Sequence, residues 1–360
     1  MTEKSKKHVE SCRFCWMCRH ICPIGNATGL ERNTARARAF GLSMVNREVF
    51  GLSEVVDNVY ECAACGACTK ECVTGWDPVM FVKEARLDAA MEGVLPEYIN
   101  VLVDNCLETG NAYGLTEVDT ALAEAMGRHT EKTDVVLFLG VDAVYKMPEA
   151  AVNAIKVLEK AGVSFTVLEN EPASGQQLEY LISAANETKE QMNTCAEALN
   201  AFAKVVVFDP QDAKVFKREY KEWGVNLKAE VVTFTAYLAE LLDEGKLAAE
   251  NSGKAVVYQD PFQLSRDLAE TEEPRKVVSA YAVCNEMLCF GKHTMWAGNL
   301  LMKEWMPEVI LKVAAERINN AKCVGADTIV TASVSEYASL KAVEQAEVKI
   351  ISLEELVLGE

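Results

Sequence analysis

Residues 12–23 read CRFCWMCRHICP and residues 62–73 read CAACGACTKECV. Both stretches have the spacing Cys-x2-Cys-x2-Cys-x3-Cys, and 39 residues lie between the two cysteine runs. A loop with thiolates at every third residue can curl around one iron–sulfur cube and bind three of its four iron corners, so the fourth corner needs a ligand from elsewhere. The repeated pattern therefore predicts the ligands of two [4Fe–4S] clusters.

The fourth cysteine of each run lies about one turn beyond the third and points away from its own loop. In ferredoxins with two cubes, such a cysteine ligates the other cluster. We therefore expect the two runs to exchange their last ligands, which would tie two distant segments into one domain. The predicted ligands of cluster 1 are Cys12, Cys15, Cys18 and Cys72, and those of cluster 2 are Cys62, Cys65, Cys68 and Cys22.

Zinc and disulfides are the competing interpretations of these cysteines. Structural zinc takes four ligands, usually as two pairs, and has no use for a third cysteine at the same spacing followed by a fourth. Disulfides need an oxidising compartment, whereas the chain begins with MTEKSKK and has no apolar stretch typical of a signal peptide. The 13 cysteines are also an odd number. We therefore expect clusters in a protein of the reducing cytoplasm.

The length of 360 residues predicts two or three domains, and 50% hydrophobic with 25% charged residues is typical of a globular protein. The net charge of −18 argues against nucleic-acid binding. Residues 1–50 carry nine Lys or Arg and four Glu, a net +5, so the other 310 residues carry −23. Cations near anionic clusters would offset their charge and raise their reduction potentials.

The sequence divides into four parts. Residues 1–95 are predicted to form a helical ferredoxin-like domain, because the stretch between the cysteine runs has helical rather than hairpin periodicity. Residues 96–133 are a predicted helical linker. Residues 134–250 and 251–360 then alternate short β-branched runs with helical stretches, which is typical of α/β lobes with parallel sheets. We therefore expect an α+β protein, all-α at its N-terminus.

The two lobes follow one plan, which indicates a duplication. Each has four predicted strands and a closing helix. The predicted strands of the first lobe are Val135–Leu139, Ser164–Leu168, Lys204–Phe208 and Glu230–Phe234, and those of the second are Lys254–Tyr258, Ser279–Val283, Asp327–Thr331 and Val348–Ile351.

Three further motifs carry a resemblance to a known family. Residues 171–175 (EPASG) are similar to a Glu-Pro-Cys-Cys-Gly motif, residues 260–264 (DPFQL) to Asp-Pro-Cys-His-Leu, and residues 325–332 (GADTIVTA) lead to the position of a Cys-Pro-x-Cys turn. With the cysteine runs, they make the whole chain resemble iron–sulfur subunits with heterodisulfide-reductase-type "CCG" lobes. Subunits of glycolate oxidase and of anaerobic glycerol-3-phosphate dehydrogenase are examples.

The chain departs from the family where the family's lobes have cysteines. Ala173, Ser174 and Phe262 stand at those positions, and Cys289 with Cys284 is what remains near such a site. Two thiolates cannot complete a four-ligand cluster site, although Glu286 and His293 could complete a metal site with them. The remaining cysteines are predicted to be core residues: Cys106, Cys195 and Cys323.

These observations predict an electron-transfer subunit of an oxidoreductase, with no catalytic residue of its own. The chain has no Gly-x-Gly-x-x-Gly after a strand, so no bound flavin or NAD is expected. The resemblance implies a partner FAD-dependent dehydrogenase acting on a 2-hydroxy acid, and a downstream electron-transfer flavoprotein or quinone-linked subunit. The alternative is an enzyme with thiol–disulfide or metal chemistry at Cys284 and Cys289.

Overall fold

The structure is a computed structural model that describes residues 3–359, with the side chains of residues 6, 7 and 9–359. Its first part is helical, as predicted, and two 3₁₀ turns interrupt it at Glu31–Asn33 and Leu52–Glu54. Thr34 separates the first turn from the next helix, because its hydroxyl accepts the N–H of Ala37 as an N-cap. The helices are α1 (Glu3–Glu10), α2 (Pro23–Thr28), α3 (Ala35–Asn46), α4 (Val56–Tyr60), α5 (Ala67–Glu71), α6 (Pro78–Met91) and α7 (Glu97–Thr109).

The next part is an α/β lobe around a parallel sheet in the order β2-β1-β3-β4. A single π-helical turn, Val215–Glu219, joins two of its short helices. Its elements are α8 (Thr120–Gly127), β1 (Val135–Phe138), α9 (Val141–Lys146), α10 (Pro148–Lys160), β2 (Thr166–Val167), α11 (Gln176–Ile182), α12 (Asn186–Leu199), β3 (Lys204–Val207), α13 (Pro210–Lys214), α14 (Tyr220–Glu222), β4 (Glu230–Thr233) and α15 (Phe234–Asp243).

The last part repeats this plan, with the order β6-β5-β7-β8 and all neighbouring strands parallel. A π-helical turn, Gln263–Asp267, and a 3₁₀ turn, Gly291–His293, lie in its loops. Its elements are β5 (Ala255–Gln259), α16 (Glu272–Tyr281), β6 (Val283–Asn285), α17 (Leu300–Lys303), α18 (Pro307–Cys323), β7 (Thr328–Thr331), α19 (Val334–Lys341), β8 (Lys349–Ser352) and α20 (Leu353–Leu358). The predicted fold class and duplication are confirmed.

Two predictions about local structure were wrong. The strand predicted at Ser279–Val283 begins only at Val283, because Ser279 to Tyr281 form the last turn of α16. Cys323 is exposed rather than buried. It ends α18, whose buried side carries Ile310, Ala314, Ile318 and Ala321, and a residue two positions beyond Ala321 faces away from that side.

The lobes join through buried polar side chains at the carboxyl ends of equivalent strands. Gln211 follows β3 and Ser335 follows β7, the strands that hold the same place in the two sheets. The Gln211 amide donates to Ser335 Oγ at 3.1 Å and to Asp142 Oδ2 at 3.0 Å. Ser335 Oγ donates to the same Asp142 oxygen at 2.9 Å. A carboxylate of the first lobe thus fixes the second lobe's position.

The helical part packs on the first lobe through a buried square of ion pairs. Lys83 of α6 contacts Glu179 and Glu219, and Lys214 contacts the same two carboxylates at 3.3 and 3.1 Å. Burial alone would raise the pKa of Glu219, but the two ammonium groups lower it to about 2. The square is charge-balanced, so each member depends on the others.

Across residues 3–359, none of the helices combines the length and the apolar character that crossing a bilayer requires.

We predict that Lys83→Met destabilises the protein by about 3–5 kcal/mol, because it leaves two buried carboxylates facing one ammonium group. Denaturant unfolding at neutral pH measures the change. Lys221→Met is the matched control, since Lys221 is exposed and should cost about 0.5 kcal/mol or less. Adding Glu179→Gln to Lys83→Met should recover part of the loss. Equal effects of the two lysine substitutions would contradict the prediction.

Candidate iron–sulfur site

The two cysteine loops, residues 12–18 and 62–68, share one backbone conformation. The second and fourth residues after the first cysteine have positive φ in both: Phe14 at 52° and Trp16 at 75° in the first cysteine loop, Ala64 at 51° and Gly66 at 72° in the second cysteine loop. This conformation curls the chain so that three side chains can converge on one object. The sequence repeat is therefore also a structural repeat.

Backbone N–H groups point at the first sulfur of each loop. The Phe14 N–H donates to Cys12 Sγ at 3.3 Å, and the Ala64 N–H donates to Cys62 Sγ at 3.4 Å. Such bonds stabilise a sulfur that carries negative charge, as an iron-bound thiolate does. The donor set and its surroundings thus fit an iron–sulfur cluster.

The fourth cysteines lie at helix ends. Cys22 is the N-cap of α2, and its Sγ accepts the N–H of Gly25 at 3.4 Å. A side chain at Gly25 would approach Thr34 Cγ2 to 3.1 Å and Cys22 Cβ to 3.5 Å, so glycine leaves room for this thiol. Cys72 ends α5 in the same extended conformation as Cys22, with φ −71° and −76° respectively.

The structure brings each fourth cysteine close to the other run. Burial raises the pKa of the Cys12 thiol, and among neighbouring thiols Cys72 adds most. Burial also raises the pKa of Cys22, and there the neighbouring thiol that adds to it is Cys62.

The second cysteine loop reports the same proximity from its own side. The pKa of Cys65 is raised to about 11 by burial, with smaller contributions from Cys22 and then Cys62. The pKa of Cys68 is raised well above its usual value by burial first and then by Cys62, Cys65 and Cys22. Such neutral thiols lose their protons when iron binds.

Among the described residues, no group of three or more His, Cys, Asp and Glu side chains is placed to hold a single metal ion. Thiolates that bind separate iron atoms of one cube lie further apart than the ligands of one ion. The spread of the cysteines therefore fits ligands of a multi-iron group.

Two buried arginines support the second cysteine run. Arg38 donates from Nε to the carbonyl of Asn58 and from Nη2 to that of Glu61, both at 2.8 Å. Arg86 donates from Nη2 to the carbonyl of Cys62 at 2.7 Å. Both are almost inaccessible to solvent. Their positive charges offset the charge that thiolates would bring into this interior.

The second lobe covers the second cysteine loop. Phe262 and Trp296 are buried against Ile24 and Cys65. Arg266 donates from Nε to the carbonyl of Cys65 at 2.8 Å and from Nη1 to that of Thr294 at 2.6 Å. Phe262 stands where the resembling family has a cysteine, so the lost ligand position has become packing.

A cavity of 580 Å³ borders the other side of this loop at Ala64 and Gly66, and Lys70, Arg218 and Trp223 also line it. The first cysteine loop is more open. Cys15 is exposed, and Trp16 and Met17 are 46% and 42% exposed. The expected shielding by these two side chains is therefore partial.

The alternative site at Cys284 and Cys289 is not assembled. Glu286 accepts two bonds from Arg275, at 2.6 and 2.9 Å, and the His293 ring contacts Glu71 Oε1 at 3.1 Å. These two side chains are therefore engaged elsewhere and do not join the thiols.

The other predicted core cysteines, Cys106 and Cys195, are buried as expected. At the former CCG position of the first lobe, Ser174 donates to Asp212. Glu171 accepts the N–H groups of Leu139 and Gly140, both at 2.7 Å. That position has become structural.

Sequence reasoning missed the arginines and the unusual conformation of Trp16. Arg266 lies four positions after Phe262, so the DPFQL motif carried a partial signal. Trp16 and Gly66 are offset by the same 50 positions as Cys12 and Cys62. Aligning the two runs therefore shows a tryptophan where a tight turn elsewhere uses glycine.

Comparison with known proteins defines the class. Residues 8–76 match the family model described as a 4Fe-4S dicluster domain. The chain is thus an iron–sulfur protein, and the match covers both cysteine runs.

The rest of the chain is similar to larger redox proteins. A component subunit of the dihydromethanophenazine:CoB--CoM heterodisulfide reductase from Methanosarcina acetivorans is 26% identical over 92% of this chain and 88% of that protein. A probable membrane-anchored ferredoxin of Chromohalobacter salexigens is 28% identical over 72% of this chain and 39% of that protein. The probable iron-sulfur-binding oxidoreductase FadF of Bacillus subtilis is 24% identical over 62% of this chain and 34% of its own length. These similarities support an oxidoreductase-subunit role; the glycolate oxidase type is carried by the motifs alone.

We predict that Arg266→Gln lowers the reduction potential of the iron–sulfur signal that depends on Cys65, by on the order of tens of mV, because a nearby cation is lost. Potentiometric titration followed by electron paramagnetic resonance measures it. Arg47→Gln is the control, since Arg47 is exposed and pairs with Glu10 at the surface. An unchanged potential, or an equal change in both variants, would count against a role for Arg266.

Proposed function

We propose that this chain is an electron-transfer subunit that holds two [4Fe–4S] clusters and passes single electrons between a flavoprotein dehydrogenase and a downstream carrier. The observation that carries the proposal is the crossed placement of the fourth cysteines, with Cys72 near Cys12 and Cys22 near Cys62. The proposed ligands are Cys12, Cys15, Cys18 and Cys72 for cluster 1, and Cys62, Cys65, Cys68 and Cys22 for cluster 2.

A bound cubane cluster takes up and releases one electron at a time. The residues of the chain set the conditions for this. The N–H groups of Phe14 and Ala64 donate to cysteine sulfurs, and Arg38 and Arg266 lie beside the thiols of Cys22 and Cys65, whose pKa values they lower against the effect of burial. The same interactions favour a negatively charged, iron-bound sulfur.

The α/β lobes serve in this proposal as a scaffold. Their former cysteine positions are occupied by Phe262, Ser174 and Ala173, and Phe262 packs on the second cysteine loop. A lobe that has lost its ligands but kept its contacts can still fix the position of one cluster relative to partner subunits. Chemistry on a substrate would then take place in another subunit.

We infer the partners from the class of chain. A single-electron relay is useful between a two-electron reagent and a one-electron acceptor. The proposed donor is an FAD-dependent dehydrogenase that oxidises a 2-hydroxy acid such as lactate or glycolate. The proposed acceptor is an electron-transfer flavoprotein or a quinone-linked subunit, and the proposed location is the cytoplasm. The relatives named as a reductase subunit and as an oxidoreductase support such an assembly.

We predict that Cys22→Ala damages cluster 2, whose other ligands lie 40 or more positions away, and spares cluster 1. Loss of one ligand should convert the affected cluster to a three-iron form or remove it. Iron analysis and electron paramagnetic resonance of the reduced protein measure the outcome.

Cys15→Ser and Cys65→Ser provide the reference spectra, since each should affect only the cluster of its own loop. The Cys22→Ala spectrum should match that of Cys65→Ser. A match with Cys15→Ser would disprove the exchange, and survival of both clusters in either serine variant would disprove the ligand assignment.

We predict that the isolated chain, reconstituted with iron and sulfide, accepts electrons from dithionite but oxidises no 2-hydroxy acid. It carries no flavin to take a hydride. Lactate or glycolate should bleach its visible absorption only after a purified flavin-dependent 2-hydroxy-acid dehydrogenase is added. Substrate oxidation by the chain alone would overturn the proposal and favour an enzyme.

A further inference from the structure

The position of Trp16 is unusual for its residue type. Its φ of 75° matches the 72° of Gly66, its counterpart in the second cysteine loop. A side chain in this left-handed conformation costs about 1–2 kcal/mol, and glycine avoids the cost. A bulky residue is kept in such a conformation mainly where it has a function.

The side chain of Trp16 is held outward rather than buried. Its ring is 46% exposed, and the guanidinium groups of Arg36 and Arg19 lie 4.4 and 5.5 Å from its centre. Met17 beside it is 42% exposed, and Phe40, which contacts Phe14 edge to face, is 53% exposed. We define the Trp16 face as Arg13, Cys15, Trp16, Met17, Arg19 and Phe40.

The matching surface of the second cysteine loop is covered by protein. There the carbonyl of Cys65 accepts a bond from Arg266, and Phe262 packs over the loop. On the first cysteine loop, no hydrogen bond to the carbonyl of Cys15 comes from any residue that the structure describes. One loop is thus covered by the chain's own lobe, and its repeat is left open.

The charge of the Trp16 face differs from that of the rest of the molecule. Residues 11–30 contain no Asp or Glu, whereas the chain as a whole has a net charge of −18. The flanking acids Glu10 and Glu31 are paired with Arg47 and Arg36. An acidic protein would therefore be attracted to this face and repelled by most other surfaces.

We propose that the Trp16 face is the docking site of an acidic one-electron redox protein, with Trp16 and Met17 at its apolar centre and Arg13 and Arg19 at its rim. This inference rests on the proposed electron-transfer function. An apolar centre with a charged rim is the usual anatomy of a protein interface. In the transfer, the partner gains one electron and the chain loses one.

Flavodoxin, an acidic flavoprotein, and cytochrome c, a basic haem protein, are suitable probes. The dithionite-reduced chain, freed of excess dithionite, is mixed with either oxidised probe. The flavin of flavodoxin takes one electron and one proton to become the semiquinone, and the haem iron takes one electron. The rate constant with flavodoxin should fall as salt is added.

The double variant Arg13→Glu/Arg19→Glu should slow transfer to flavodoxin and weaken its equilibrium binding to the oxidised chain, each by about tenfold or more. Calorimetric binding gives a measurement that needs no electron transfer. The matched control is Lys254→Glu/Lys349→Glu, which changes the net charge equally at exposed positions of the second lobe. It should stay within about twofold of the wild type.

Trp16→Gly tests the centre of the face. Glycine suits the positive φ, so both cluster signals and the unfolding midpoint should be kept. Binding of flavodoxin should still weaken about fivefold, because the exposed ring is lost. Loss of a cluster signal with unchanged binding would make Trp16 a cover for the cluster and overturn its docking role.

Three other results would overturn the proposal. The arginine reversal could leave flavodoxin unaffected, or it could slow cytochrome c as strongly as flavodoxin. Sedimentation could also show that the face joins two copies of this chain. Failure of the proposed function looks different, because reduction by dithionite would then give no cubane signals at all.

Discussion

The second cysteine loop is irregular backbone buried between three parts of the chain, so its carbonyl groups must find donors inside the protein. Arginine provides them. Arg86 and the hydroxyl of Tyr180 both donate to the carbonyl of Cys62 at 2.7 Å, and Arg266 donates to that of Cys65. A bond from a charged donor contributes about 1.5–3 kcal/mol, and each guanidinium also brings positive charge to the sulfur ligands. The same groups therefore satisfy the backbone and balance the site's electrostatics.

These donors come from different parts of the chain, which explains why the loop depends on the whole molecule. Arg86 belongs to α6, Tyr180 to α11 of the first lobe and Arg266 to the π-helical turn of the second. Each lobe thus holds the loop from its own side. The buried bonds among Asp142, Gln211 and Ser335 fix the lobes relative to each other, so they also fix the loop. The duplicated lobes can lose their own cysteines and still be required for the position of the site.

The sequence predicted the parts of this arrangement that local rules determine. Cysteine spacing follows from the geometry of ligands around a cube, and the buried strands are short β-branched runs such as 204–207. It failed at β6, because Val277 and Val278 suggested a strand although Glu272, Glu273 and Pro274 mark the start of a helix. The contacts of Arg86 and Arg266 could not be predicted, since they join residues 24 and 201 positions apart in the chain. Long side chains that reach across domains leave no periodic signal.

The repeat of the cysteine loops gives the molecule a direction. One backbone conformation occurs twice, yet its surroundings differ. At Gly66 the chain's own lobe lies near, with Arg266 Nε 3.7 Å from where a Cβ would stand. At Trp16 the surface is open, basic and aromatic. In a duplicated unit, identical surfaces would favour binding the same partner twice. Here one copy meets an internal partner and the other keeps exposed apolar side chains, so the two ends of the unit have become different in what they can contact.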